Sequence, residues 1–402
     1  MKRFTLLLSL LLCPFLTASA QQKPATTRAF APNIGVLGMG NAVVALPTRG
    51  SAFFFNPAHA AHAKRHITFV GVQLAASSTL PDQISFFKDD LQPAIDEGID
   101  NLDSERLNAL YDQTLAIGQK ATRLNITALA PSAGFKAGPV GLGIGFFGNA
   151  NVSYRFPDGG GGLPLVQVTG LADAMAVGTA GIDLSKFGVS GLTVGLTAKY
   201  TKRYATFKNK PLDAISDTEP FALLSANRVS ADIGFLYKLP LVNKLPGTVN
   251  VGLALYDVAG YPFSFTHEGD LQGTSDPVTL AQDIEFANTF FAAEPSFRLG
   301  VGYTLPKIPG GLLDETGFTI DYAGGKDLPT DQAFLAHISM GASVRVKVLS
   351  ARAGLNQGYP TVGGGLHLAF FHVEYAYYGV ENGRYPGQLP SWHHAAQIRF
   401  GL

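Results

Sequence analysis

The sequence predicts an all-β fold: a transmembrane antiparallel β-barrel of about fourteen strands, with an N-terminal plug and a helical insertion in one outer loop. Three observations predict it. Charged residues make up only 15% of the 402-residue chain, against roughly 25% in soluble domains. Nothing beyond the first twenty residues approaches the ~18 apolar residues of a spanning helix. Segments of about ten residues alternate strictly between apolar and small polar side chains. A hydrophobic chain without spanning helices crosses a bilayer only by closing a sheet on itself, so that every backbone group is paired.

The first residues set the compartment. Lys2 and Arg3 precede an apolar run from Phe4 to Leu16, and Ala18-Ser19-Ala20 forms a small-residue cleavage site. Residues 1–20 are therefore expected to be a secretory signal peptide. The lone cysteine, Cys13, lies inside it, so the mature chain has no thiol for disulfides, catalysis or metals. Balanced charge, with 30 basic and 30 acidic residues, argues against a nucleic-acid partner.

Strands are expected near 66–75, 123–136, 140–154, 164–182, 190–205, 226–239, 247–258, 294–305, 315–324, 333–347, 349–357, 360–367, 369–379 and 391–402. Phe297, Leu299, Val301 and Tyr303 share one face, with Arg298, Gly300, Gly302 and Thr304 on the other. The polar face is rich in Gly, Ser and Thr, as a barrel lumen is. Tyr200, Tyr237, Tyr303, Tyr322, Tyr377 and Trp392 stand near strand ends, as interfacial aromatics do. Pro131 predicts an irregularity in the second strand. Short connections follow even-numbered strands, while the long ones, 76–122, 206–225 and 259–293, follow odd-numbered strands. Short periplasmic turns and long extracellular loops follow that rule.

The first long loop is expected to be helical over about 83–122. Ile84, Phe87, Leu91 and Ile95 fall on one helical face, and Leu102, Leu107, Leu110 and Leu115 suggest a second helix. It reads either as a cap packed on the rim or as a lid over a hydrophobic ligand, with Phe86 and Phe87 as candidate ligand contacts.

Before the first strand, in 21–64, runs Gly38-Met39-Gly40-Asn41-Ala42, then Phe53-Phe54-Phe55-Asn56-Pro57-Ala58. Gly38 and Gly40 allow a backbone path denied to other residues. Pro57 holds Asn56 out of the helical region, leaving its amide free to tie the segment to the lumen. This motif resembles the N-terminal hatch of the FadL-like outer-membrane hydrophobe transporters, including the PorV-type and TraF-like branches. The helical first loop looks more like the TraF-like group than the fatty-acid transporters. The resemblance implies passive uptake of fatty acids or other lipophilic compounds through a porin-like barrel at 65–402. It implies hatch residues Gly38, Gly40, Asn56, Pro57 and Ala58 as the gating set. It also implies an alternative, a structural or secretion-associated barrel without transport. Expected partners are outer-membrane lipids, a hydrophobic small molecule, a possible secretion partner and the assembly machinery. For the last, the terminal strand carries a signal-like pattern: Trp392, His394, Ala396, Ile398, Phe400 and Leu402 on one face.

Other patterns are weak. The Gly35, Gly38 and Gly40 spacing lacks the strand–turn–helix context of a dinucleotide site. His59, His62 and His66 have helical spacing but straddle a strand start and are expected at the rim, with no metal or cofactor. His393 and His394 face opposite ways. Ser391 and His393 share a face, but no acidic partner is visible, and no enzyme is expected. Lys199, Asp232, Arg298, Asp321, His337, Arg345, Arg352, Glu374 and Arg399 are expected in the lumen, as ion pairs holding the hatch.

Overall fold

The computed structural model describes residues 33–47, 51–63, 65–98, 101–118, 122–157, 165–211, 221–240, 246–270, 274–306, 313–325 and 332–402. The expected signal peptide, with Cys13, lies outside the described residues.

The strands are β1 (His66–Ser77), β2 (Thr122–Ala137), β3 (Val140–Arg155), β4 (Leu165–Asp183), β5 (Leu192–Pro211), β6 (Ala222–Lys238), β7 (Thr248–Gly260), β8 (Thr266–Asp270), β9 (Ser296–Thr304), β10 (Leu313–Gly325), β11 (Ile338–Val346), β12 (Leu349–Asn356), β13 (Tyr359–His367), β14 (Phe371–Glu381) and β15 (Pro390–Gly401). All but β8 pair antiparallel in a ring of fourteen, closed by β1 against β15. Ile67 and the terminal Leu402 exchange backbone hydrogen bonds of 2.7 and 2.9 Å at the seam. Closure leaves no sheet edge, which is what hydrocarbon demands of a spanning sheet.

The pleat sorts the side chains. Val70, Val72 and Leu74, like Leu299 and Val301 or Phe318 and Ile320, stand exposed on the outer surface. In water such a face would be a core; here it is the lipid-facing belt. No described helix is long and apolar enough to cross a membrane. In β2 the pairing with β3 slips between Leu129 and Ser132, around Pro131, which has no N–H to give the ladder.

The loop end departs from expectation in four ways. First, β5 and β6 run past the belt, and β8 adds to β6 there. Second, the loop after β7 holds a helix, α5 (Pro277–Phe290). Its N-cap Asp276 accepts from the backbone N–H of Val278 and Thr279. Third, residues 334–337 form a 3-10 turn instead of strand, with His337 beside the Tyr322 ring, so His337 drops out of the luminal alternation. Fourth, the first insertion folds as α2 (Leu80–Phe86), a π turn (Phe87–Leu91), α3 (Gln92–Glu97) and α4 (Ser104–Gly118). The wider π turn rotates the register. Gln83, Phe86, Leu91 and Ala94 are consequently buried, whereas Ile84 and Phe87 are exposed. This insertion packs on Tyr154, Phe156 and Val166. Tyr154 and Val166 have the parity of the outer face, so the insertion leans on the flank of the wall.

Candidate functional site: a plug seated on wall glycines

The segment before β1 folds back inside the barrel near its short-turn end. It has one α-helical turn, α1 (Ile34–Leu37), and a 3-10 helix over Pro57–His62. Asn56 is extended (φ −154°, ψ 111°), as the following proline requires, and caps the 3-10 helix by accepting from Ala58 N–H at 3.0 Å. Its amide donates to the Val44 carbonyl at 2.8 Å and to Phe235 of β6 at 3.1 Å. One side chain thus joins both halves of the plug to the wall. His59 Nε2–H also donates to Val44 O at 3.0 Å, and His62 bonds Thr193 Oγ1 at 2.8 Å. His59 is buried in the plug rather than at the rim, because its ring fills the space between the two plug segments. No group of three His, Cys, Asp or Glu among the described residues could hold a metal.

The wall meets this backbone with glycine. Gly141, Gly181, Gly195 and Gly234 stand directly opposite one another across β3, β4, β5 and β6. A methyl on any of them would overlap main-chain or Asn56 atoms of residues 56–61. Gly252 and Gly300 pair across β7 and β9, and Gly341 and Gly354 pair across β11 and β12; Gly252, Gly341 and Gly354 meet the main chain of residues 39–45, and Gly300 meets the side chains of Val44 and Asp321. Within the plug, Gly40 has φ +67° and needs glycine for that reason. Gly38 does not: its φ is −64°, and its constraint is Gly363 Cα, 2.8 Å from where a Cβ would lie. Thr361 of β13 closes this side, accepting from Gly40 N–H at 2.9 Å and donating to Gly38 O at 3.2 Å.

Charge fixes the plug at one point above all. Asp321 of β10 accepts from Val43 N–H at 2.6 Å and Val44 N–H at 2.9 Å. Arg298 of β9 lies 4.0 Å from Asp321, donates to Asn41 O, and stands over the Phe55 ring. Arg352 pairs with Glu374 at 2.9 Å, beneath Gly35. These luminal ion pairs contact the plug. Lys199 does not: it bridges Asp232 at 2.7 Å and Asp257 at 2.9 Å, within the wall.

Above the glycines, on the loop side, the plug presents Phe53, Phe54 and Phe55. They form one buried apolar cluster with Leu129, Phe147, Met175 and Val177. Higher still, the loop after β7 folds into the mouth. Phe263, Phe265, Ala287 and Phe291 pack on Ala205, Leu224 and Ala226, with Phe207 stacked on Phe286 at 3.9 Å. Buried Arg203 pairs with Asp173 at 2.7 Å and donates to Phe291 O at 2.9 Å, so an ion pair in the wall anchors this loop. Below the plug a polar vestibule of about 480 Å³ includes His62, Asp183, Thr193, Lys238 and Asn250.

Of the residues singled out from sequence, Gly38, Gly40, Asn56, Pro57 and Ala58 all lie in the plug, but in two groups: the glycines seat against β11–β13, and residues 56–58 against β5 and β6 across the barrel. Phe86 packs inside the first insertion and Phe87 is exposed on it, both apart from the luminal cluster. Sequence reading missed α5, although Asp276-Pro277 followed by Leu280, Ile284 and Ala287 is a capped, helix-period signal. It also missed Asp257. Alternation places that residue outside, but a bulge in β7 with φ 54° at Asp257 turns it inward.

Two expectations follow. Asn56→Ala leaves Phe235 O without its plug donor and Ala58 N–H without its cap, at about 1–3 kcal/mol per orphaned group. Faster hydrogen exchange confined to residues 40–62 is the expected readout. Arg203→Met strands Asp173 in the wall, and breaking a buried pair costs about 3–5 kcal/mol. Protease cleavage within 259–293 is expected to appear while the barrel stays intact.

No family model matches the sequence, and no curated protein matches it. Among solved structures, the chain is similar to the Ralstonia pickettii toluene transporter TbuX over 92% of its length and 98% of that chain, at 11% identity and a TM-score of 0.49. The P. putida toluene transporter TodX is similar over 92% and 97%, at 11% identity and 0.44. A Pseudomonas aeruginosa FadL homologue is similar over 94% and 98%, at 10% identity and 0.43. The fold and site define a single-chain transmembrane β-barrel with an internal plug.

Proposed function

We propose that this barrel sits in a bacterial outer membrane and serves passive uptake of hydrophobic small molecules. The observation that carries the reading is the apolar upper face of the plug. Phe53, Phe54 and Phe55 with Leu129, Phe147, Met175 and Val177 stand where a water-filled pore would carry polar side chains. An apolar solute gains by staying out of water along such a path. A second, separate aromatic cluster stands in the mouth on the loop side. The hatch-like motif at 38–58 agrees, and makes Gly38, Gly40, Asn56, Pro57 and Ala58 the gating set.

Mass spectrometry of lipids that co-purify with the folded barrel tests this, together with uptake by a deletion strain. Bound apolar ligand and an uptake defect are expected. A ligand-free barrel with unimpaired uptake would sink the proposal. The second reading, a secretion-associated barrel, draws on the flank insertion, which leaves Ile84 and Phe87 exposed. Recovery of secretion components on a wild-type barrel, but not on one lacking residues 80–118, would favour it.

A further inference from the structure

We infer that the first insertion, residues 80–118, is a docking surface for a protein partner that presents apolar side chains flanked by lysine and arginine. This holds whether or not the barrel transports anything. It deepens the secretion-associated reading, on which it rests for the insertion as a contact surface, and names the chemistry of the partner.

The insertion is acidic in a chain that is not. Residues 80–118 carry nine Asp and Glu against Lys88 and Arg106, whereas the whole chain has 30 of each sign. Those among the described residues are all exposed. Glu97 pairs with Arg106 at 2.7 Å, and no other acid of the insertion has an ion pair among the described residues. Asp89-Asp90 and Asp96-Glu97 set like charges side by side, and aspartate is a poor helix former. Mixed signs would solvate these helices as well and stabilise them besides. The surplus of one sign costs the insertion stability and creates a field that attracts cations.

The same insertion exposes two large apolar side chains. Ile84 and Phe87, three residues apart, are 56% and 50% exposed, while Gln83, Phe86 and Leu91 beside them are buried. Phe87 opens the π turn, and Asp90 within that turn accepts from Gln113 Nε2 of α4 at 3.1 Å, so the exposed pair stands on a braced surface. The inner face of the insertion is already covered by the wall at Tyr154, Phe156 and Val166. Because the insertion leans on the outside of the barrel, Ile84 and Phe87 do not line the lumen. Apolar anchors inside a charged rim are the composition of a protein interface.

Charge decides the occupant. A lipid surface would bring the exposed carboxylates against headgroup phosphates. A second copy of this chain would set two acidic insertions against each other. A basic segment supplies cations to the carboxylates and apolar contacts to Ile84 and Phe87, and the long-range attraction speeds encounter.

Benzoylphenylalanine in place of Phe87, in the full-length barrel in intact cells, tests this by photo-crosslinking. The crosslinked peptide, sequenced by mass spectrometry, is expected to come from one extracytoplasmic protein and to be rich in Lys and Arg. Asp82→Asn, Asp89→Asn, Asp90→Asn and Asp96→Asn together are expected to cut the yield at least tenfold, with the heat-modifiable gel shift of a folded barrel unchanged. A defined probe gives the second readout. An amphipathic Leu/Lys peptide is expected to bind the wild-type barrel in phosphatidylcholine nanodiscs at least tenfold more tightly than its Leu/Glu counterpart. That preference is expected to vanish in the four-Asn variant and to fall with added salt. Equal binding of the two peptides, a neutral or acidic crosslinked segment, or a yield that survives the Asn variant overturns the charge assignment alone. Crosslinks confined to lipid or to a second copy, or none at all, overturn it together with the secretion-associated reading.

Discussion

Valine at Gly195 is expected to unseat the plug and open the barrel to ions. Gly195 lies near the start of β5, opposite Gly181 and Gly234, and a side chain there runs into the main chain of Pro57 and Ala58. The obstacle is backbone on both sides, so no rotamer relieves it. Overpacking of a dense core costs about 1–3 kcal/mol, and a clash between two main chains belongs at the upper end. The strand itself tolerates valine, a good β-former, so the strain falls on the plug. Planar-bilayer recordings are expected to show a wild-type barrel that passes little current and a Gly195→Val barrel with frequent openings. Gly178 supplies the control. It lies on neighbouring β4, pairs with outward-facing positions, and has nothing within 4 Å of an added Cβ. Gly178→Val is expected to behave as wild type. A silent Gly195→Val barrel of normal stability would show that the plug is not held by this seat.

The wall was legible because a pleat has a period of two, and lipid on one side enforces it over every strand. Each of the fourteen ring strands overlaps the segment where alternation places it, although the one expected at 333–347 starts only at Ile338, and the slip at Pro131 follows from a missing N–H. Legibility ended where local period no longer decides geometry. The π turn at Phe87–Leu91 shifts the buried face of the first insertion, with no residue type that marks it. The bulge at Asp257 reverses its expected side. The wall glycines were visible as residues on the polar face, but their alignment into rungs depends on register between strands. The sequence does not state that register. The plug lies between these cases. Asn56-Pro57 dictates a local conformation and so identified the segment. What it touches, Val44 and Phe235, depends on how the chain folds back into the barrel.

The second large effect is expected at Asp321. Its carboxylate is 1% exposed and accepts two consecutive backbone N–H groups of the plug while facing Arg298. Hydrogen bonds to a charged acceptor contribute about 1.5–3 kcal/mol each, so the site outweighs any neutral contact of the plug. Asp321→Ala removes the one oxygen, Oδ2, that accepts from both N–H groups and leaves Arg298 inside the barrel without its counter-charge, a change of about 3–5 kcal/mol for a broken buried pair. Asp321→Asn is the finer probe. It keeps one acceptor oxygen and the shape of the side chain but loses the charge that both N–H groups and the guanidinium share. Hydrogen exchange at Val43 and Val44 is expected to rise in both variants, far more in Ala than in Asn. The heat-modifiable gel shift of the barrel is expected to persist, since the β9–β10 and β10–β11 ladders do not depend on the carboxylate. Exchange that rises equally across the wall strands would instead make Asp321 a general stabiliser of the barrel. The contrast with Gly195 is in mechanism. Valine there pushes the plug out by volume, whereas at Asp321 the plug keeps its space and loses what holds it. Openings of Gly195→Val should therefore be insensitive to salt. In Asp321→Asn the remaining hold on the plug runs through Arg298 and the plug carbonyl of Asn41, a contact inside the barrel that salt screens little.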